Sequence, residues 1–124
     1  MTALDNFLYS VVEMKAAPGL GEFEQVVLLA ILRLADNAYG VTISAEITAC
    51  TRREPAPGAL YTTLDRLEDK GLVTSRLGDP TPQRGGRAKR YFVLSSKGLA
   101  AITCAQQDYR RLLEGCELPG LNYA

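Results

Sequence analysis

The chain contains no histidine and no tryptophan, and its three cysteines are Cys50, Cys104 and Cys116. Each shortage excludes a class of chemistry. Imidazole is the side chain most used for proton transfer and nucleophile activation near neutral pH, so its absence weakens most catalytic readings. No glycine-rich phosphate loop or spaced pair of acids takes its place. The chain is therefore read as a non-enzyme with no cofactor. The cysteines form no CxxC pair, and without histidine a zinc site has too few soft ligands. Cys104 and Cys116 would lie about 18 Å apart along one helix, too far for a disulfide, and all three are read as reduced thiols. The chain also lacks the run of roughly 18 apolar residues that a membrane span requires. Its first residues have neither the basic start nor the small-residue cleavage site of a secretory signal. The expectation is a cytoplasmic protein with no membrane partner.

A net charge of zero, with fourteen bases against fourteen acids among 124 residues, hides an uneven distribution. Residues 1–50 hold Lys15 and Arg33 against six acids, a balance of −4. Residues 51–90 hold nine bases against five acids, a balance of +4. Positive charge is thus gathered in one segment, which points to an anionic partner there. The length supports one domain with a core of modest size.

Leu4, Phe7, Leu8, Val11 and Val12 fall on one helical stripe, and residues 1–20 are expected to form an accessory packing helix. A second helix is expected from Glu22 to Ala35, with Glu22 and Glu24 where the helix dipole favours negative charge. Phe23, Val26, Val27, Ala30, Ile31 and Leu34 cover one wide face; Leu28, Leu29 and Leu32 fall on the other. A helix apolar nearly all round is buried on both sides. The N-terminal helix or a second subunit is therefore expected to cover its back, with Leu28 and Leu32 at a dimer contact. After the turn Asp36–Gly40, a third helix runs from Val41 to Cys50 with Val41, Ile43 and Ile47 as core candidates. The last helix, from Ser96 to Cys116, has Ser95 as its N-cap. It sets Leu99, Ile102, Gln106, Tyr109, Leu113 and Cys116 at alternating steps of three and four, a heptad seam with one polar member. Leu99, Ile102, Tyr109 and Leu113 are its dimerisation candidates.

The segment Pro57–Tyr91 holds the main chemical device. An amphipathic helix over Gly58–Lys70 buries Leu60, Leu64 and Leu67, which cluster within about 60° on the helical wheel. Pro57 suits the first helical position, and Gly71 suits the C′ position. Two strand-like runs, Leu72–Leu77 and Tyr91–Leu94, flank a tip too rich in glycine and proline for regular structure. That order is the layout of a winged helix-turn-helix DNA reader. The fold class expected is mainly α with a small two-stranded antiparallel β-wing and flanking dimerisation helices. Residues 21–94 form the DNA-binding domain, and residues 95–124 the C-terminal dimerisation helix and tail. Ala59, Thr62 and Thr63 are small and polar enough to approach base edges, and Arg66 lies one turn on. Pro57, Gly58 and Ala59 present small groups and free amides suited to a phosphate. The tip holds Arg84, Arg87, Lys89 and Arg90 and no acid, a source of phosphate contacts.

Several ordered segments resemble the PadR family of bacterial transcriptional regulators. They are the run from Gly58 to Glu68 (GALYTTLDRLE), Lys70-Gly71-Leu72-Val73, the wing run from Arg84 to Phe92 (RGGRAKRYF), and Tyr39-Gly40. The resemblance covers roughly Leu20 to Gly98. It implies a homodimeric winged-helix regulator, usually a repressor, that binds inverted-repeat operators in double-stranded DNA. It also implies that Tyr61 lends its hydroxyl to a phosphate, that Thr62, Thr63 and Arg66 face the major groove, and that Arg87, Lys89 and Arg90 act at the wing. The C-terminal region is a single short helix, unlike members with a larger C-terminal domain. A small-molecule effector is not indicated by the sequence; the dimer interface would be its place. An alternative of a different class is a winged-helix protein–protein adaptor, favoured by the zero net charge and the acidic first half.

Overall fold

The computed structural model describes residues 19–79 and 88–117; the expected helix before Gly19 and most of the expected hairpin tip, including Arg84 and Arg87, lie outside these. Helix α1 (Glu22–Leu34) is the hub of the domain. Its start is fixed by Glu24, whose Oε1 accepts the Gly21 amide at 2.8 Å, leaving a carboxylate at the positive end of the helix dipole. It packs against α2 (Gly40–Cys50), α3 (Pro57–Asp69), strand β2 (Arg90–Leu94) and α4 (Ser96–Leu113). Val27, Leu28, Ala30 and Ile31 are consequently buried. The expectation that Leu28 faces a second subunit is corrected by this packing: it has no exposed surface within its own protomer. Leu32 does keep an exposed side, at 49%.

A short 3-10 turn, Ala35–Asn37, leads to α2. Tyr39 N–H donates to Thr42 Oγ1 at 2.9 Å, and that hydroxyl lies 2.6 Å from the Asn37 carbonyl that accepts from it. Ile43 and Ile47, four apart, form the buried face of α2. Val41 is 69% exposed rather than a core residue, because two residues along a helix is about 200° around it.

Helix α3 starts with Pro57 in its first turn, and Leu60, Leu64 and Leu67 are buried. It stops at a Schellman turn: Gly71 N–H donates to Glu68 O and Leu72 N–H to Leu67 O, both at 2.9 Å. Gly71 sits at φ +75°, the left-handed region where a Cβ is costly. Strand β1 (Val73–Leu77) then pairs antiparallel with β2, Val73 opposite Leu94 and Leu77 opposite Arg90. The other edge of β2 carries a single bridge, Tyr39 to Tyr91, supported by Phe92 N–H donating to Ala38 O at 2.8 Å.

Ser95 caps α4 as expected: its Oγ accepts Gly98 N–H at 3.0 Å and donates to Gly71 O at 2.7 Å. The buried residues of α4, Gly98, Ala100, Ala101 and Ile102, all lie in its first two turns. Ile102 is 2% exposed and belongs to the protomer's own core, a second correction, after Leu28, to the expected dimer contacts. The result is a winged helix-turn-helix, with α2 and α3 as the two-helix unit and β1–β2 as the wing.

Candidate nucleic-acid interface

Leucine spacing decides which face of α3 looks outward. With Leu60, Leu64 and Leu67 turned to the core, Pro57, Gly58, Ala59, Tyr61, Thr62 and Arg66 are exposed. Pro57, Gly58 and Ala59 fill the first turn, where the Gly58 and Ala59 amides precede the first intrahelical bond, Leu60 N–H to Ala56 O at 3.0 Å, and are free to meet an anion. Thr63 is a correction. It is 5% exposed, and its hydroxyl donates back to Ala59 O at 2.8 Å. Three steps of 100° set it 60° from Leu60, on the edge of the buried stripe rather than opposite it.

Tyr61 is half-exposed, and its position depends on α2. Its hydroxyl packs so closely over Gly40 that a Cβ there would overlap it. A residue larger than glycine at the start of α2 would push the ring away. The pairing of Tyr39-Gly40 with the α3 run noted in the sequence thus has a steric cause.

At the wing base the chain alternates two jobs on successive residues. Lys89 and Tyr91 fall on one face of the strand, Arg90 and Phe92 on the other. Lys89 Nζ lies 4.5 Å from the Tyr39 ring centroid and 3.5 Å from its hydroxyl. Tyr39 meets Tyr91 edge to face at 5.3 Å, and Arg76 stacks over Tyr91 at 4.9 Å. The hairpin is closed by Gly78 N–H donating to Lys89 O at 2.7 Å. Sequence reasoning missed this cation–aromatic ladder; the alternation of Lys89 with Tyr91 was visible, but the cross-strand partners were not.

Arg90 turns toward α3 instead. Its Nη1 bonds Asp65 Oδ1 at 3.1 Å, its Nη2 bonds Glu68 Oε1, and its Nε reaches Ser75 Oγ at 3.2 Å. The guanidinium also stacks 4.8 Å from the Phe92 centroid. Ser75 Oγ donates to Glu68 Oε2, and this bond, more than the nearby Arg90, holds the Glu68 carboxyl below its usual range against the opposing effect of burial. Burial alone would lower the Arg90 pKa, but Asp65 and Glu68 outweigh it and raise it. The acids on α3 are therefore partly neutralised from the wing. A second pair joins α1 to the end of α3: Lys70 Nζ lies 2.7 Å from Glu24 Oε2. Burial pushes the Glu24 carboxyl up, but Lys70, the Gly21 amide and Arg66 together bring it below the usual range. Arg53, in the loop between α2 and α3, is paired with Glu22.

Of the dimerisation candidates, Tyr109 is 48% exposed, Leu99 and Leu113 are half-buried, and Leu28 and Ile102 are interior. Leu112, which the seam omitted, is 75% exposed. Leu32 and Leu99 share an open groove of about 590 Å³ with Arg76, Tyr91 and Val93. Among the described residues, no group of three histidine, cysteine or acidic side chains could hold a metal ion, and no helix is long and apolar enough to cross a membrane.

Known proteins agree with this geometry. The model of the transcriptional regulator PadR-like family matches residues 28–103. A PadR family transcription regulator from hypervirulent Clostridium difficile R20291 superposes with TM-score 0.62 at 22% identity, covering 75% of this chain and 93% of that one. A PadR-like transcription factor from Bacteroides fragilis gives 0.60 at 18% identity, over 92% and 95% of the two chains. A PadR family transcriptional regulator from Eggerthella lenta DSM 2243 gives 0.59 at 22%, over 91% of each. No curated protein matches the chain. The structures at these identities speak for the fold, and the family match takes in α3, the wing strands and most of α1: the chain belongs to the PadR-like family of transcriptional regulators.

Proposed function

We propose that the protein acts as a homodimeric repressor that reads an inverted-repeat operator, each protomer placing α3 in a major groove and its wing along the adjacent backbone. The observation that carries this reading is the outward face of α3, where Gly58, Ala59, Tyr61, Thr62 and Arg66 stand beside the cationic wing base. Small residues let the helix backbone approach base edges, Thr62 offers a hydroxyl and a methyl, and Arg66 offers a fork for guanine or phosphate. Pro57, Gly58 and Tyr61 suit backbone phosphates. Lys89, with Arg84 and Arg87 on the tip, supplies sequence-independent attraction. Thr63 is interior and has no part in the reading.

Pairing is supported by α4. Beyond Ile102 it continues for three turns, and residues from Gln106 to Leu112 are exposed. Among the described residues the Tyr109 hydroxyl accepts from Gln25 Nε2 on α1 at 3.5 Å. A helical half so sparsely packed is marginal in water, so the exposed side of Tyr109, with Leu112 and Leu113, is assigned to a second copy, with Leu32 and Leu99 alongside. A two-fold dimer would then present two copies of α3 to half-sites related by the same symmetry.

Selection from random duplex DNA followed by footprinting tests the whole reading. The expected result is a palindromic site whose half-site centres are about one helical turn, or a multiple of it, apart. Failure to retain any duplex at low salt would reject it. An asymmetric single site would reject the dimer while leaving the reader intact.

A further inference from the structure

We infer that Arg90 is a positioning residue for DNA reading: it ties the wing to the recognition helix through Asp65 and Glu68 and takes no phosphate itself. This rests on the DNA-reading role proposed above and assigns a task that the cationic tip alone would not suggest. All three guanidinium nitrogens of Arg90 are engaged, Nε by Ser75, Nη1 by Asp65 and Nη2 by Glu68. The plane of the group is covered by Phe92 at 4.8 Å. Three of its five N–H groups are thereby committed, leaving one on each Nη, so a phosphate would have to share the guanidinium with two carboxylates. Lys89, one residue earlier and on the opposite strand face, is held by the Tyr39 ring, with no carboxylate on its ammonium among the described residues.

The three anchors belong to different elements. Asp65 and Glu68 are three apart on α3 and so share a face, Ser75 is on β1, and Arg90 itself is on β2. A planar fork bound at three points resists rotation in a way that an ammonium cannot. It therefore sets the angle at which the wing leaves α3. It also masks Asp65, which lies beside exposed Tyr61 and Thr62 on the side proposed to meet DNA. Displacing the wing even slightly separates the phosphate contacts from the base contacts, and both are required in register.

Operator duplex from the selection above, titrated across a range of KCl, separates a clamp from a contact. Arg90→Gln is expected to weaken binding about tenfold at every salt concentration without changing the slope of log K against log salt. Arg90→Lys should fail nearly as badly, since it keeps the charge but loses the fork. Lys89→Ala is the control for a true contact and should flatten the slope by about 0.9 for each phosphate released. In an Asp65→Asn, Glu68→Gln background, the further change Arg90→Gln should cost less than twofold. The inference is overturned if Arg90→Lys restores wild-type affinity, or if Arg90→Gln flattens the slope as Lys89→Ala does. Amide exchange in the free protein adds a readout that needs no DNA. Arg90→Gln should speed exchange at the Gly78 and Phe92 amides, and unchanged exchange would also refute the clamp. Wild-type protein that binds no duplex would instead reject the DNA-reading role, with the exchange result still deciding whether the clamp exists.

Discussion

Thr62 and Thr63 are adjacent and chemically identical, yet one is exposed and the other is 5% exposed with its hydroxyl tied to Ala59. Their substitutions should therefore separate. Thr62→Ala is expected to lower discrimination at one operator base pair by about 1–3 kcal/mol, while Thr63→Ser leaves discrimination unchanged; competition titrations with single-base operator variants measure both. Gly40 is constrained in another way, since a methyl there meets the Tyr61 hydroxyl. Gly40→Ala should cost about 1–3 kcal/mol of stability through overpacking. It should also weaken DNA binding in the same direction as Tyr61→Ala, as read by thermal melting and by titration. The wheel position of Thr63 is legible from leucine spacing alone, 60° from Leu60 and so on the buried side. The overlap between Gly40 and Tyr61 was not legible, because it joins residues 21 positions apart on two helices.

Among the elements, α4 carries two roles in series. Its first two turns complete the protomer's core, whereas residues from Gln106 to Leu112 are exposed. The heptad pattern runs across both parts and so could not distinguish an internal contact from an external one. Ile102→Ala should cost about 2–5 kcal/mol of folding stability, visible as a lower melting temperature. Leu112→Glu should leave the fold intact and shift light scattering from dimer to monomer. A fully dimeric Leu112→Glu variant would move the pairing surface elsewhere on the protomer. The end of α3 was readable in more detail, because a Schellman turn depends on neighbours only. There Gly71→Ala should lose about 1–2 kcal/mol, the cost of the left-handed backbone for an L-residue.

At the scale of the whole molecule, ion pairs join elements distant in sequence, among them Glu24 with Lys70 between α1 and α3 and Glu68 with Arg90 between α3 and β2. Both carboxyls are held below their usual range in the folded state. A depressed acid contributes stability that is fully present above its unfolded value and is lost as pH falls through its folded value. Stability should accordingly hold from neutral pH down to the ordinary carboxylate range and then fall. Glu24→Gln should flatten that acid limb in a pH series of urea unfolding. A net charge of zero also shapes the DNA interaction: attraction must come from the local excess around the wing, not from the molecule as a whole. On the proposed reading Arg90 is committed to α3, and Lys89, Arg84 and Arg87 supply the backbone contacts of each protomer.

The sequence by itself determined the order of the elements, the buried leucines of α3, the capping residues Ser95 and Gly71, and the helix and two strands between Pro57 and Leu94. These depend on local periodicity and backbone preference, which neighbouring residues set among themselves. Only the tertiary structure decided what each exposed-looking group was free to do. It drew Leu28 and Ile102 into the protomer, turned Thr63 inward, stacked Lys89 on Tyr39 and paired Arg90 with Asp65 and Glu68. Such outcomes depend on contacts between residues far apart in the chain. Linear charge counting treats Lys89 and Arg90 as equivalent, while the pleat of β2 sends them to opposite faces and into different chemistry.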